Sequence, residues 1–379
     1  MDFIEINRGV KVLSLFDGMS CGMIAFTESN IEVDQYYAYE IDEYAIQTSE
    51  YNFPKINQCG DVFDEDFTKY EGIDYVIGGS PCTYWSAAQT NGRETEASGL
   101  GWDLFQQYVR AIDEAKPKYF IYENNKSMSK AIRESICSAF GFEPHLINSS
   151  LVSAQNRERL YWVGKRNGSG TYDRVEIDMP NDMGILITDI IDYATPVNTL
   201  SSGKARCLTA SYTNKGAKHI IESFYSSNPR KQQWDCVAIP INLSFDGGKS
   251  RTLKAQYSKN GIANFITNGG FEATAVAVKI NFKDDIPVEI VEDSNGKAYT
   301  VYKVENGNII INGTPYPIEL DDGFYIIRKL SIDECKKLQT IPDWYQFPVS
   351  NFRAYKLLGN GWTVEVIKWL LKYTYEDKI

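Results

Sequence analysis

Short apolar runs alternate with longer stretches of helical period through the first 165 or so residues. Residues 11–16 (KVLSLF), 34–39 (DQYYAY), 73–79 (IDYVIGG), 117–122 (PKYFIY) and 159–164 (RLYWVG) read as strands. Between them, 43–50, 102–115 and 127–139 carry helical spacing, and another helix is expected from about Met23, after the glycine-bearing turn DGMSCG. Strands alternating with helices predict a parallel sheet covered on both faces.

The pattern changes after about residue 165. Short strands are then punctuated by Ser202-Gly203, Asp246-Gly247-Gly248, Asn295-Gly296, Asn306-Gly307 and Asn312-Gly313, the chemistry of hairpin turns. Helical spacing returns in SIDECKKLQ and VEVIKWLLKYTY. The expected organisation is an α/β domain made of 1–189 and 328–379, interrupted by a mainly β segment, 190–327. That segment holds an internal repeat. GKARCLTASYTNKGAKHII (203–221) aligns with GKSRTLKAQYSKNGIANFI (248–266) at eight of nineteen positions, pairing Arg206 with Arg251 and Tyr212 with Tyr257. A duplicated strand–loop unit is favoured over chance likeness between two hairpins, although two copies are fewer than a solenoid needs.

Charge sharpens this division. The whole chain is acidic, with a net charge of −11, which by itself argues against a nucleic-acid partner. Yet residues 197–280 hold eleven Lys/Arg against four Asp/Glu, interleaved with Tyr212, Phe224, Tyr225, Trp234, Tyr257 and Phe265. A basic, aromatic segment of that kind suits a phosphate backbone, and equally a solvated lysine-rich surface. Seven scattered cysteines without a C-x-x-C pair argue against a disulfide framework and a structural zinc site. Two unpaired histidines, His145 and His219, leave little room for a histidine base or a histidine-bound metal. No apolar run approaches the roughly 18 residues of a membrane span, and the N-terminus lacks a signal-peptide pattern. A cytoplasmic monomer is expected.

Four sites carry candidate chemistry. Gly78-Gly79-Ser80-Pro81-Cys82 follows an apolar strand, and catalytic groups gather at strand C-termini of an α/β sheet. A buried cysteine is commonly a small hydrophobe; placed after G-G-S-P, Cys82 reads as a reactive thiolate. The polar loop 83–101, with Gly92, Gly99 and Gly101, has the makeup of a lid. Glu123-Asn124-Asn125 follows another strand, and a thiol with a carboxyl fits nucleophilic attack on a ring assisted by ring protonation. Taken alone, those asparagines read better as helix caps. Gln155-Asn156-Arg157-Glu158-Arg159 puts two arginines on one face of an extended segment, for a base carbonyl, a phosphate, the Glu123 carboxylate or a structural ion pair. Finally, Phe16-Asp17-Gly18, Gly22, Glu40 at a strand end and Asp61 suggest a nucleotide-type cofactor, since an acid some 20 residues beyond a glycine turn is placed for ribose hydroxyls.

In the order FDG, GGSPC, ENN, QNRER, a long insert, RKLSIDECKKLQTIP and LLGNGWTVEVI, the chain resembles the C5-cytosine DNA methyltransferase family. The resemblance covers about residues 1–165 and 328–379. The serine of GGSPC and the FDGMSCG turn are similar to bacterial and phage members and to the animal de novo enzymes, whereas GNGW departs from the commoner GNS. The resemblance implies a Rossmann-like, S-adenosylmethionine-dependent methyltransferase domain with an inserted, mainly β target-recognition domain. It implies that Cys82 adds to C6 of a flipped cytosine, that Glu123 meets N3, and that Arg157 and Arg159 orient the base. Phe16, Asp17, Gly18, Gly22, Glu40, Ile41, Asp61, Val62, Pro81, Asn360 and Trp362 would line the cofactor pocket, with Glu40 on the ribose and Asp61 near the adenine. Arg206, Tyr212, Lys215, Arg230, Arg251, Lys254 and Tyr257 would meet duplex DNA, and no metal is expected. An RNA cytosine methyltransferase and a catalytically silent DNA-binding homologue stay open. So do a partnership with a restriction endonuclease and an orphan or phage-borne role.

Overall fold

The computed structural model describes residues 9–375 apart from 64, 87–91, 192–194, 197–203, 206, 208–235, 241–289, 293–297, 312–313 and 318–319. Arg206, Tyr212, Lys215, Arg230, Arg251, Lys254 and Tyr257 lie outside the described residues, as does the duplication itself. The chain divides into two compact units: 1–185, 207–213 and 335–379 form the first, and 186–206 with 214–334 the second.

In the first unit the alternating pattern yields β1 (Val10–Leu15), α1 (Cys21–Glu28), β2 (Val33–Tyr39), α2 (Glu43–Asn52), β3 (Asn57–Gln58) and β4 (Tyr75–Gly78). It continues with α3 (Leu100–Ala115), β5 (Tyr119–Asn125), α4 (Lys130–Phe140), β6 (His145–Asn148), β7 (Glu158–Arg166) and β8 (Tyr172–Arg174). The sheet order is β3-β2-β1-β4-β5-β7-β6, with β8 paired to β7. From β3 to β5 all pairs are parallel. Pairs β5–β7, β6–β7 and β7–β8 are antiparallel, so the sheet is mixed rather than parallel throughout. The difference arises because β6 and β7 are joined by a loop and not by a crossover helix. Register with β7 also carries β5 through Asn125, which places Glu123 inside the strand rather than after it.

Side-chain alternation divides the sheet into two faces. Leu13, Leu15, Val76, Phe120, Tyr122, Leu160 and Trp162 join Phe105 and Tyr108 of α3 and Ile132, Ile136 and Phe140 of α4 in one buried cluster. The buried Tyr108 hydroxyl in this cluster is satisfied locally, donating to the Val76 and Ile121 carbonyls at 3.0 and 2.8 Å. Gly164 faces this cluster because a Cβ there would stand 2.2 Å from the Phe120 ring. On the opposite face, Gly22 lets α1 approach closely, since a Cβ would meet Ile77 at 2.4 Å. Caps delimit the helices. Asp42 accepts from the Tyr44 amide ahead of α2, and Ser129 from the Ile132 amide ahead of α4.

The C-terminal stretch contributes α5 (Ile332–Leu338), α6 (Asn351–Asn360) and α7 (Val364–Thr374). Ser331 and Glu334 form a capping box at the start of α5, Oγ accepting from the Glu334 amide and Oε2 from the Ser331 amide. In the first unit, the segment between α5 and α6 fastens to the N-terminal elements. The Tyr345 hydroxyl donates to Met19 O at 2.5 Å, Trp344 Nε1 to Glu28 at 2.9 Å, and the Gln346 amide to Asn52 at 2.8 Å.

The second unit is an antiparallel sheet of β9 (Thr195–Pro196), β10 (Cys236–Pro240), β11 (Ile290–Glu292), β12 (Ala298–Glu305), β13 (Asn308–Ile311), β14 (Thr314–Pro317) and β15 (Gly323–Lys329). Its order is β14-β13-β12-β15-β10-β9, with β11 against β12. Asn306 and Gly307 join β12 to β13 with φ of 52° and 67°, the doubly left-handed turn that matches the twist of a hairpin.

Candidate active site

Strand order reverses between β1 and β4, and in α/β sheets the crevice beyond the carboxyl ends at such a point receives ligands. The first group of candidates stands at the ends of β1, β2 and β3. Phe16 and Gly18 take positive φ, 56° and 59°, turning the chain sharply off β1. That turn exposes backbone N–H groups, and Gly18 N donates to Glu40 Oε2 at 2.8 Å. The other oxygen of Glu40 accepts from the Ile41 and Asp42 amides, both at 2.8 Å. Beside it, Asp17 accepts from the hydroxyls of Ser14 (2.6 Å), Ser20 (2.5 Å) and Tyr36 (2.7 Å). Burial pushes its carboxyl up to about 6, against the opposing pull of those three donors. Ile41 is 74 % exposed, an unusual setting for so large an apolar side chain. Asp61 is exposed and accepts from the Phe63 amide, whereas the Val62 side chain is in the core, leaving only its backbone to face a ligand.

The second group stands at the ends of β4 and β5. Gly79 is required by close approach, because a Cβ there would lie 2.6 Å from Glu123 O and 3.1 Å from Glu123 Oε2. Ser80 is buried and hydrogen-bonds the Tyr122 hydroxyl at 2.7 Å. Asn124 Nδ2 donates to Ser80 O at 3.1 Å, and Asn125 Nδ2 to Cys82 O at 3.5 Å. These asparagines therefore brace the cysteine loop and cap no helix, α4 being capped by Ser129. Cys82 opens a single 3-10 turn, Cys82–Tyr84. Described parts of the following loop are pinned: Trp85 is fully buried with Nε1 on Glu94 Oε2 at 3.0 Å, and Arg93 donates to the Trp85 and Ser127 carbonyls.

The two arginines of QNRER divide their work. Arg159 Nε pairs with Glu123 Oε1 at 3.0 Å, both side chains being largely buried. Arg157 is buried and its guanidinium donates to Gly359 O at 3.2 Å and Gly361 O at 2.8 Å, tying this strand to the end of α6. Both reach Cys207 Sγ, Arg157 Nη1 at 3.3 Å and Arg159 Nη2 at 3.7 Å. Burial opposes ionisation of Cys207, but the two guanidinium groups outweigh it and bring its thiol below the usual range. Cys82 is raised, burial there exceeding the help it receives from Arg159. Arg159 stays protonated because Cys207, Glu123 and Cys82 together outweigh its own burial.

Trp362, expected at a cofactor wall, donates from its indole Nε1 to Glu123 Oε2 at 2.9 Å. Asn360, the last residue of α6, is exposed, as is Pro81. Sequence reading left Cys207 without a role and gave Asn124 only that of a helix cap. For Cys207 one signal was present: in the repeat it stands opposite Thr252, a position the two copies do not share. His145, by contrast, has its ring nitrogens engaged by Val175 O and Arg174, away from any catalytic duty.

A thiol, a carboxyl bonded to a guanidinium and a glycine turn bearing a carboxylate thus gather along one edge of the sheet. The C-5 cytosine-specific DNA methylase model matches residues 10–376. The chain belongs to the C-5 cytosine-specific DNA methylase family. It is a DNA (cytosine-5-)-methyltransferase, as the order of its motifs led us to expect. Similar methylases include the orphan methyltransferase M.SPRI of Bacillus phage SPR, 24% identical over 97% of this chain and 99% of that protein. The type II methyltransferase M.FnuDI of Fusobacterium nucleatum is 25% identical over 97% of this chain and 96% of its own. The fold is also that of a mutant DNMT2 from Spodoptera frugiperda, with a TM-score of 0.55, 18% identity, and 97% of this chain and 100% of that one covered. No helix among the described residues of the methylase is long and apolar enough to cross a membrane.

Proposed function

We propose that this DNA methylase takes its methyl group from S-adenosylmethionine bound at the ends of β1–β3 and attacks cytosine with Cys82. The residues fit that donor. An added Cβ at Gly18 would meet nothing within 4 Å, Ile41 offers an exposed apolar platform for an adenine, and Glu40 and Asp61 offer carboxylates for ribose and adenine N–H groups. Pro81 and Asn360, both exposed, would add further walls. Bound there, the donor supplies a methyl group on a positively charged sulfonium.

The observation that carries the reading is the Cys82–Glu123–Arg159 cluster, in which Arg159 holds Glu123 Oε1 at 3.0 Å and both charges act on the Cys82 thiol. The Cys82 thiolate adds to C6, and electron density moves to C5 and N3. Glu123 meets N3 and Arg159, held by Glu123 Oε1, faces the base carbonyl. C5 takes the methyl group, loses its proton, and expulsion of the thiolate restores the ring. The cytosine must leave the helical stack to reach a thiol set among strand ends. The second unit reads the DNA sequence, with the basic residues of 197–280 on phosphates and base edges. Arg157 holds the 359–361 backbone in place behind the site.

The test is transfer from labelled S-adenosylmethionine to mixed-sequence duplex DNA by wild type and Cys82→Ser. Label at cytosine C5 that falls at least about 1,000-fold in the variant, with cofactor binding retained, is the expected result. Transfer by the variant at the wild-type rate removes Cys82 as nucleophile. Label entering RNA and not DNA would overturn the duplex as substrate.

A further inference from the structure

We propose that Trp362 is a positioning residue for Glu123: it presents a neutral donor to one carboxylate oxygen, aiming the side chain while leaving it free to take a proton. This rests on the reading of Glu123 as the group that meets cytosine N3.

The two oxygens of Glu123 have different partners. Oε1 is held by the Arg159 guanidinium at 3.0 Å and Oε2 by the Trp362 indole at 2.9 Å. Both partners are donors without acceptor capacity. A carboxylate clamped this way cannot rotate about its last bond without breaking one contact. The chemistry requires more than a fixed carboxylate, however, because N3 gathers negative charge and must receive a hydrogen bond or a proton. The proton cannot sit on the oxygen facing a permanent cation without setting two donors against each other. It can sit on Oε2, whose second lone pair still accepts from the indole. A guanidinium or ammonium at that place would hold Glu123 ionised; an indole does not.

The placement of Trp362 is rigid, as such a role demands. On its N-terminal side, Gly361 O accepts from Arg157 Nη2 at 2.8 Å and from Gln339 Nε2 at 3.3 Å. Gly361 also packs closely against the glycine turn, where a Cβ would stand 3.0 Å from Met19 and 3.1 Å from Cys21. On its C-terminal side, Thr363 donates to Gln339 Oε1 at 2.9 Å and shares a 3.0 Å hydrogen bond with Ser149. Glu123 enters from strand β5, 239 residues away in sequence. Trp362 thus joins the turn below the cofactor to the carboxyl facing the base.

The experiment compares Trp362→Phe, which keeps a ring and loses the N–H, with Trp362→Gln, which restores a neutral N–H donor at every pH. Single-turnover methyl transfer to duplex DNA at saturating donor is followed across the pH range, beside equilibrium binding of S-adenosylhomocysteine. The Phe variant should transfer methyl roughly tenfold more slowly, with product affinity within about twofold of wild type. The limb on which the rate falls as Glu123 loses the proton it offers N3 should move to higher pH, since losing a donor disfavours the ionised carboxyl. The Gln variant should recover most of the rate. A Phe variant with wild-type rate and pH profile but weakened S-adenosylhomocysteine binding would overturn the proposal and leave Trp362 a cofactor wall. If Trp362→Phe does not fold, Trp362→Met against Trp362→Gln carries the same comparison. Glu123→Gln, measured alongside, separates the two levels. If it is as fast as wild type, the reading of Glu123 itself falls; if it is slow while both Trp362 variants are unaffected, only the present proposal falls.

Discussion

The two halves of the sheet edge are assembled by opposite strategies. At the ends of β1–β3, partners are close in sequence: Asp17 with Ser14, Ser20 and Tyr36, Gly18 with Glu40, and Glu40 with Ile41 and Asp42. At the ends of β4 and β5, they come from far along the chain: Cys82 with Asn125, Glu123 with Trp362, and Arg157 with Gly359 and Gly361. The halves also differ in charge. The first presents the carboxylates Asp17, Glu40 and Asp61, suited to a cationic donor, and the second sets two guanidinium groups around thiols and a carboxyl, suited to charge that becomes negative during reaction. The first half is held mainly by local hydrogen bonds, whereas Glu123 and Arg157 in the second also bond the C-terminal segment.

The sharpest way to break this contrast is to unfasten the docked segment. Arg157→Met keeps bulk and removes the hydrogen bonds to Gly359 and Gly361; Gly361 O keeps its Gln339 partner, while the buried Gly359 O loses its guanidinium donors at a cost of about 1–3 kcal/mol. Methyl transfer should fall about 100-fold or more, and thermal melting should move down by several degrees. A variant with wild-type rate would show that the base half does not depend on the docking. A smaller effect is expected in the donor half. Glu40→Gln replaces one acceptor oxygen by an amide that cannot serve both Gly18 N and the Ile41 and Asp42 amides. Cofactor affinity should drop roughly tenfold in calorimetry, with the rate at saturating cofactor near wild type; equal loss of rate and affinity would mean that the halves are not separable.

The smallest effect is one of pH. Asp17 holds its proton up to about pH 6 in the folded chain, against an ordinary value of 3.8. Between those values the native state binds a proton that the unfolded chain has released. Its contribution therefore favours the fold below about pH 4 and is lost as pH rises through 6. In unfolding titrations of the cofactor-free protein, the difference between wild type and Asp17→Asn should change by up to about 3 kcal/mol across that window and stay flat above it. A difference curve with no slope there would place Asp17 in a more solvated setting.

This contrast also explains what could be read from the chain beforehand. β1, β2, β4 and their helices carried clean periodicity, and Phe16-Asp17-Gly18 with Glu40 was legible because its spacing is its geometry. Cys82 and Glu123 were legible as strand-end chemistry. What the pattern hid was long-range. β5 runs on through Glu123-Asn124-Asn125 because β7 pairs with it antiparallel, and no local preference of those polar residues announces a strand. The bracing of the cysteine loop by Asn124, the fastening of 359–361 by Arg157 and the contact of Trp362 with Glu123 join residues that lie 44 to 239 positions apart in the chain. α6 (NFRAYKLLGN) carries only a narrow apolar stripe, and its helicity owes more to burying Ala354, Leu357 and Leu358 than to propensity.

Cys207 has a practical consequence for anyone wishing to retarget the methylase. It belongs to the catalytic unit, although Arg206 before it and Asn214 a few residues later belong to the other. A recognition module grafted in as one contiguous cassette between 186 and 334 would therefore carry off the sulfur that Arg157 and Arg159 share. The natural seam of this enzyme is an interrupted one, and chimaeras should be spliced around 207–213 rather than across it.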